Sequence, residues 1–198
     1  KNRELLKLCL KSIRDCLAME NLDYETLVVD SQAEPETEAL LSEEFPATKY
    51  FPFKKNVGYA AGVNCGIKNS SGRYLLILNP DIVITAGAIP KMLAQLQKNP
   101  AVGMLGPRLL GFNGETQNSR FRFYRPWTII YRRTILGKTP FGKKELSRFN
   151  LANNNPEDLA YPDWIMGSAI LTSRTAIEKV GPMDERFFLY FEDVDWAR

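Results

Sequence analysis

Short apolar runs alternate with segments of helical period along the first 112 residues, and this alternation restricts the fold more than any other feature of the chain. Leu5, Leu6, Cys9, Leu10, Ile13 and Leu17 recur at helical spacing in ELLKLCLKSIRDCLA, which reads as an amphipathic helix. ETLVVD is a short buried strand ending in Asp30, and PETEALLSEEF is a helix with Pro35 in its first turn. TKYFPF reads as a strand held near an edge by Pro52. GYAAGVNCGIKNSSG reads as a small-residue helix stopped by Gly72. RYLLIL is the clearest strand, with NPD turning off its C-terminal end. TAGAIPKMLAQLQKNP is helical, and AVGMLGPRLLGF supplies one or two short strands. The pattern predicts an α/β fold with a mostly parallel sheet and helices on both faces. Ligands of such folds bind outside the carboxyl ends of the strands. Asp30 and Asn79-Pro80-Asp81 therefore lie on the edge of the expected site.

Between Asn113 and Tyr161 periodicity is poor, apart from an amphipathic stretch in PWTIIYRRTIL, and ANNNPED reads as a loop. Order returns with DWIMGSAILTSR as a strand and TAIEKVG as a short helix ending at Gly181. At 198 residues the chain suffices for one domain with a substantial core and is short for two. No apolar run reaches spanning length and no signal peptide is visible, so the sequence reads as non-spanning. Cys9, Cys16 and Cys65 show no CxxC spacing and read as free thiols of a reducing cytosol, Cys9 and Cys16 on one helix face. The chain has no histidine. Any acid or base in this stretch must then be Asp, Glu, Lys, Tyr or Cys.

The net charge of +3 conceals an asymmetry. Nine Lys/Arg and one acid lie between Gln117 and Arg148, a balance of +8, while the remainder carries 17 basic and 22 acidic residues, a balance of −5. Such a basic segment suits a polyanion or an anionic membrane surface, and a solvated loop suits it equally well. Phe121, Phe123, Tyr124 and Trp127 interleave it, a pattern also compatible with base stacking.

Three stretches could carry chemistry. In YLLILNPDI a buried strand delivers Asn79 and Asp81 at its tip, which suits a divalent cation or a simple Asx-turn. In KNVGYAAGVNCG, Asn56 and Gly58 precede a helix whose small first residues admit either an anion at its N-terminus or close packing on a sheet. In FFLYFEDVDW three carboxylates, Glu192, Asp193 and Asp195, fall within four residues against aromatics. Helix capping would use one of them. An aromatic surround and like-charged neighbours would raise a carboxylate toward the range of a general base.

Taken in order, NRELLKLCLKSI, LVVD, NVGYAAGVNCGIKNSSGRYLLILNPDI and DWIMGSAILTSRTAIEKVGPMDERFFLYFEDVDWAR resemble family-2 inverting glycosyltransferases. The likeness is strongest to the rhamnosyltransferase-like bacterial subgroup that builds cell-surface polysaccharide. The resemblance implies a GT-A fold, a nucleotide-diphospho-sugar donor (dTDP-rhamnose being one) and Mg²⁺ or Mn²⁺. Asp81 matches the metal-binding carboxylate of the DxD motif, with Asn79 in place of the first Asp and on the donor side. Asp30 matches the acid facing the nucleoside, and Asn56, Gly58 and Asn64 match the donor-side turn and helix. Asp193 matches the second acid of the ED motif, the base on the acceptor hydroxyl. Glu192 would orient that base or the acceptor, and Trp164 and Gly167 would line the acceptor side.

By the same resemblance, residues 1–112 are expected to bind the nucleotide sugar and 113–198 to hold the acceptor and the catalytic carboxylates, within one domain. The segment from Arg120 to Arg148 becomes an expected dock for a glycan or polyprenyl-diphosphate-linked acceptor. Peripheral association with the cytoplasmic face of the inner membrane goes with it. The family's first strand is expected before Asn2 and a further part beyond Arg198, so the domain is expected to be incomplete at both ends. SQAEPET, after Asp30, departs from the family's Asn-Ser-Asp-rich turn. A relative that binds sugar nucleotide or glycan without turnover is the competing expectation, and the retention of Asp81 and the Glu192–Asp193 pair weighs against it. Nucleic acid is a distant third, because it would leave the acidic cluster without a task.

Overall fold

The computed structural model describes residues 3–18, 20, 22–155 and 158–198. Pro156 and Glu157 of the ANNNPED loop, and Asn2, lie outside them. In chain order the described elements are α1 (Arg3–Leu17), β1 (Leu27–Asp30), α2 (Pro35–Glu44), β2 (Lys49–Pro52), α3 (Tyr59–Asn69), β3 (Tyr74–Leu78), α4 (Ala88–Lys98) and β4 (Met104–Leu105). There follow β5 (Leu109–Leu110), β6 (Thr116–Gln117), β7 (Arg120–Phe121), α5 (Pro126–Arg133), a 3₁₀ turn (Ile135–Lys138), α6 (Pro140–Phe149), β8 (Trp164–Ile165), β9 (Ala169–Ser173), α7 (Arg174–Val180) and α8 (Glu192–Trp196). They form two compact units, residues 1–107 with 167–196 and residues 108–166 with 197–198.

The first unit is the α/β body. β1 and β2 pair in parallel, Val29 opposite Phe51. β9 runs antiparallel to both β3 and β4, which are therefore co-directional on either side of it. Strand–helix alternation suggests a mostly parallel sheet; β9, from the later part of the chain, is the strand that runs against its neighbours. β9 is the deepest strand, with Ala169, Ile170, Leu171 and Thr172 all buried. α4 sets Met92 and Leu96 against Leu171, and α1 sets Cys16 and Leu17 against Ile89. Each such aliphatic burial contributes roughly 1.5–3 kcal/mol. α3 approaches β1 through glycines, since a Cβ on Gly66 would lie 3.7 Å from Val29 Cγ2. Close packing thus accounts for part of its small-residue composition.

Two sequence expectations change here. α3 ends at Asn69, not at Gly72, because Ser70 is extended and its N–H and hydroxyl both donate to the Ile67 carbonyl. The expected DWIMGSAILTSR strand is two strands, β8 and β9, interrupted at Met166-Gly167-Ser168.

The second unit pairs β5 with β6 and β7 with β8, both antiparallel. Its core is aromatic: Phe121 stacks on Trp164 with centroids 4.4 Å apart, and Phe149 lies 5.3 Å from Phe121. α6 escaped the periodicity reading because its buried positions are Gly142 and Phe149, and a glycine carries no hydrophobic signal. Its N-cap is conventional, with the Thr139 hydroxyl accepting from Gly142 N–H and Pro140 at the first position.

Candidate active site

The site is built where β3, the β9 approach and the α8 N-terminus converge within the first unit. Asn79, just past β3, donates its N–H to the Ser168 carbonyl at 2.9 Å. The adjacent Gly167 N–H donates to Asp193 Oδ2 at 3.1 Å, and Val194 N–H donates to Asp193 Oδ1 at 2.9 Å. The Tyr59 hydroxyl donates to the Gly167 carbonyl. Gly167 therefore joins the first turn of α3 to the carboxylate that opens α8. A side chain there would press on the phenol, its Cβ falling 3.2 Å from Tyr59 Oη.

Burial governs the electrostatics. Desolvation raises Asp193 above the ordinary aspartate value of 3.8, with the Gly167 and Val194 N–H groups pulling the other way. Glu192 is also raised, first by burial, against which a hydrogen bond from its own backbone N–H acts, and then by the charge of Asp193. Tyr59 is raised by burial and by the charges of Glu192 and Asp193, which keeps its proton available for the Gly167 carbonyl. Among the described residues, two buried side-chain oxygens have no hydrogen-bond partner, Ser168 Oγ and Glu192 Oε2. Both belong to residues adjacent to the Gly167–Asp193 contact, where a polar ligand would satisfy them.

Phe188, Leu189, Tyr190 and Phe191 are all at least half exposed. Tyr190 and Phe191 have φ of 70° and 71°, a left-handed conformation that costs bulky residues about 1–2 kcal/mol each. Strain of this kind concentrates at functional sites. The segment is pinned by Tyr59 N–H donating to the Phe188 carbonyl at 3.0 Å.

Asn56 Oδ1 accepts from Gly58 N–H at 2.9 Å, shaping the turn into α3, and Gly58 has φ +81°. Asp30 is buried at the β1 tip, where it accepts from Gln32 N–H and the Tyr50 hydroxyl, and burial and Asp30 push that phenol up to about 12. Asp81 is exposed two residues beyond Asn79, and its charge adds to the burial that lifts Cys9 to about 11. Asn64 lies on α3 and reaches across to the loop before α8. Its amide donates to the Met183 carbonyl and Glu185 Oε1 and accepts from Met183 N–H, so it clasps a distant loop. Trp164 belongs to the second unit, buried, with its indole N–H donating to the Arg122 carbonyl at 3.0 Å. It acts there as a core residue.

Part of the charge of the basic segment is used within the second unit. Arg120 donates to the carbonyls of Asn154, Asn155 and Asp158, and Arg122 to Asp163 and the Tyr161 carbonyl. Phe121 lies in the aromatic core, as does Tyr124, 4.7 Å from Phe149, whereas Trp127 is exposed. Sequence reasoning missed Tyr59 and Ser168; the one signal for Tyr59 was a lone large residue opening a small-residue helix.

As for metal, among the described residues no three Cys, Asp or Glu side chains gather as a cage. One exposed carboxylate at a strand tip fits a hard cation that takes its other oxygens from phosphates and water.

The α/β body of the first unit has the GT-A fold. The chain belongs to glycosyl transferase family 2, whose model matches residues 1–151 and so spans Asp30, Asn79 and Asp81. It is 26% identical to the N-acetylglucosaminyl-diphospho-decaprenol L-rhamnosyltransferase of Mycobacterium tuberculosis over 85% of this chain and 58% of that protein. It is 27% identical to the low-salt glycan biosynthesis hexosyltransferase Agl10 of Haloferax volcanii over 87% of this chain and 52% of that protein. Among solved structures, the mannosyltransferase PcManGT of Pyrobaculum calidifontis, in complex with GDP-Man and Mn²⁺, shares the fold at TM-score 0.58 and 16% identity. That match covers 99% of this chain and 48% of the other. The chain thus spans about half the length of the relatives it matches. No helix among the described residues is long and apolar enough to cross a membrane.

Proposed function

We propose that this chain is the catalytic part of an inverting glycosyltransferase that moves a sugar from a nucleotide-diphospho-sugar to a hydroxyl of a glycan or lipid-linked glycan. The observation that carries it is Asp193, raised by burial and oriented by two backbone N–H groups beside an exposed aromatic run. In the displacement, the acceptor oxygen bonds to the anomeric carbon while the bond from that carbon to the diphosphate breaks. Asp193 takes the hydroxyl proton, and the nucleoside diphosphate leaves with the electron pair. A base with a raised pKa holds that proton better than an ordinary aspartate does.

Tyr59 and Gly167 keep the Asp193 carboxylate from rotating away, and Glu192 offers its unpartnered oxygen to the acceptor side. Asp81 would hold Mg²⁺ or Mn²⁺ together with the diphosphate, Asn79 and the Asn56–Gly58 turn would border the donor, and Asp30 the nucleoside. The cation, when bound, would neutralise charge on the leaving diphosphate. Similarity to an N-acetylglucosaminyl-diphospho-decaprenol L-rhamnosyltransferase and to a glycan biosynthesis hexosyltransferase supports glycan synthesis, L-rhamnose as one donor sugar, and a polyprenyl-diphosphate acceptor. A cytoplasmic site of action goes with that donor class.

Calorimetric titration of UDP, dTDP and GDP, each with and without Mn²⁺, tests the donor side. One nucleotide should bind in a metal-dependent way, lose binding in Asp81→Asn and keep it in Asp193→Asn. Transfer should fall about 10²–10⁴-fold in Asp193→Asn. In the parent chain transfer should rise with pH through a value above 3.8. Loss of nucleotide binding in Asp193→Asn would move that residue to binding or folding.

A further inference from the structure

The second unit carries an exposed surface that is both apolar and basic. α5, the 3₁₀ turn and α6 pack on one another through glycine contacts, since a Cβ on Gly137 would collide with the Tyr131 carbonyl and one on Gly142 with the Leu136 carbonyl. Inside, the Thr128 hydroxyl donates to Glu145, and Arg148 donates to both Glu145 oxygens. The hairpin is therefore locked, yet it turns Trp127 (63% exposed), Ile129 (52%), Ile135 (82%) and Phe141 (78%) to solvent. Scattered exposed apolar residues are ordinary. Four large ones on one locked hairpin are not.

Charge separates the possible occupants. Arg120, Arg122 and Arg148 are spent inside the unit. Arg133, Lys138, Lys143 and Lys144 are exposed, lie on the same three segments as the apolar residues, and take part in no ion pair among the described residues. The hairpin's one acid, Glu145, is already neutralised by Arg148. A second copy of the chain would bring a like-charged face against this one. A surface with apolar depth and negative charge complements both features, and large apolar side chains among unpaired cations are the mark of an interfacial membrane helix.

We propose that the α5–α6 hairpin docks this unit on an anionic lipid bilayer, with Trp127, Ile135 and Phe141 entering the interface and the four cations meeting lipid phosphates. The proposal stands independently of the donor chemistry.

The test is co-sedimentation of the whole chain with vesicles of equimolar phosphatidylglycerol and phosphatidylcholine, and with phosphatidylcholine alone. Binding is expected to the anionic vesicles, weakening as salt is raised. Lys138→Gln, Lys143→Gln and Lys144→Gln combined should weaken it about a hundredfold, at roughly fivefold per charge. Trp127→Ser with Phe141→Ser should also release the protein, whereas Arg120→Gln, whose charge serves the fold, should not. Bromolipid should quench tryptophan emission, and Trp127→Phe should remove that quenching while leaving sedimentation intact, because Trp164 and Trp196 are buried. Equal sedimentation of parent and Lys variants, or no binding to anionic vesicles, overturns the proposal. Concentration-dependent dimers that the Trp127–Phe141 variant abolishes, without vesicle binding, would assign the face to a second copy and overturn it likewise.

Discussion

Replacing Gly58 by alanine tests the support of the candidate base more sharply than replacing the base itself. Gly58 has φ +81° and ψ 175°, a region essentially reserved for glycine, where another residue costs about 1–3 kcal/mol. A Cβ there would also lie 2.5 Å from the Phe188 carbonyl oxygen and 2.9 Å from Phe188 Cδ2. That oxygen accepts from Tyr59 N–H, so relieving the collision lengthens a hydrogen bond whose loss costs about 1 kcal/mol more. Two other glycines separate these effects. Gly181 has φ +93° and ψ 178° with nothing within 4 Å of its Cβ position, so alanine there meets the backbone cost alone. Gly103 has open space and no positive φ. Urea denaturation followed by circular dichroism should give losses near zero for Gly103→Ala, about 1–3 kcal/mol for Gly181→Ala and at least about 1 kcal/mol more for Gly58→Ala. Because the Phe188 segment leads into α8, Gly58→Ala should also lower transfer. A Gly58→Ala loss no larger than that of Gly181→Ala would refute the close approach of the two segments.

Asn64→Ala removes three hydrogen bonds to Met183 and Glu185 and leaves the Met183 backbone without partners, so a loss of about 2–3 kcal/mol is expected. A loss below about 1 kcal/mol in the same urea assay would return Asn64 to a ligand-facing role. Glu145 is held at about 2 by hydrogen bonds from Arg148, assisted by Thr128 and opposed by its own desolvation. Its folded value is depressed, so its contribution is fully present above the ordinary 4.5 and lost as pH falls toward about 2. Glu145→Gln should cost about 1–3 kcal/mol at neutral pH and flatten the acid limb of stability in that window. An unchanged acid limb would remove Glu145 from the packing of α5 on α6.

The sequence by itself determined what depends on near neighbours. α1, β3 and α7 are legible because apolar spacing is a local property, and Leu10, Leu75 and Ile177 are buried as that spacing requires. The carboxylate at the β3 tip and the acids opening α8 were equally visible, because their chemistry is written in consecutive residues. The tertiary structure alone decided what depends on distant partners. Asn64 meets Met183 across 119 positions, Tyr59 meets Gly167 across 108, and Gly167 meets Asp193 across 26. It likewise decided which arginines of the basic segment are spent on carbonyls and which of its cations form no ion pair among the described residues. Local preference fixes where a chain can bend or bury, whereas a hydrogen bond chooses its partner only once the backbone brings donor and acceptor within about 3 Å.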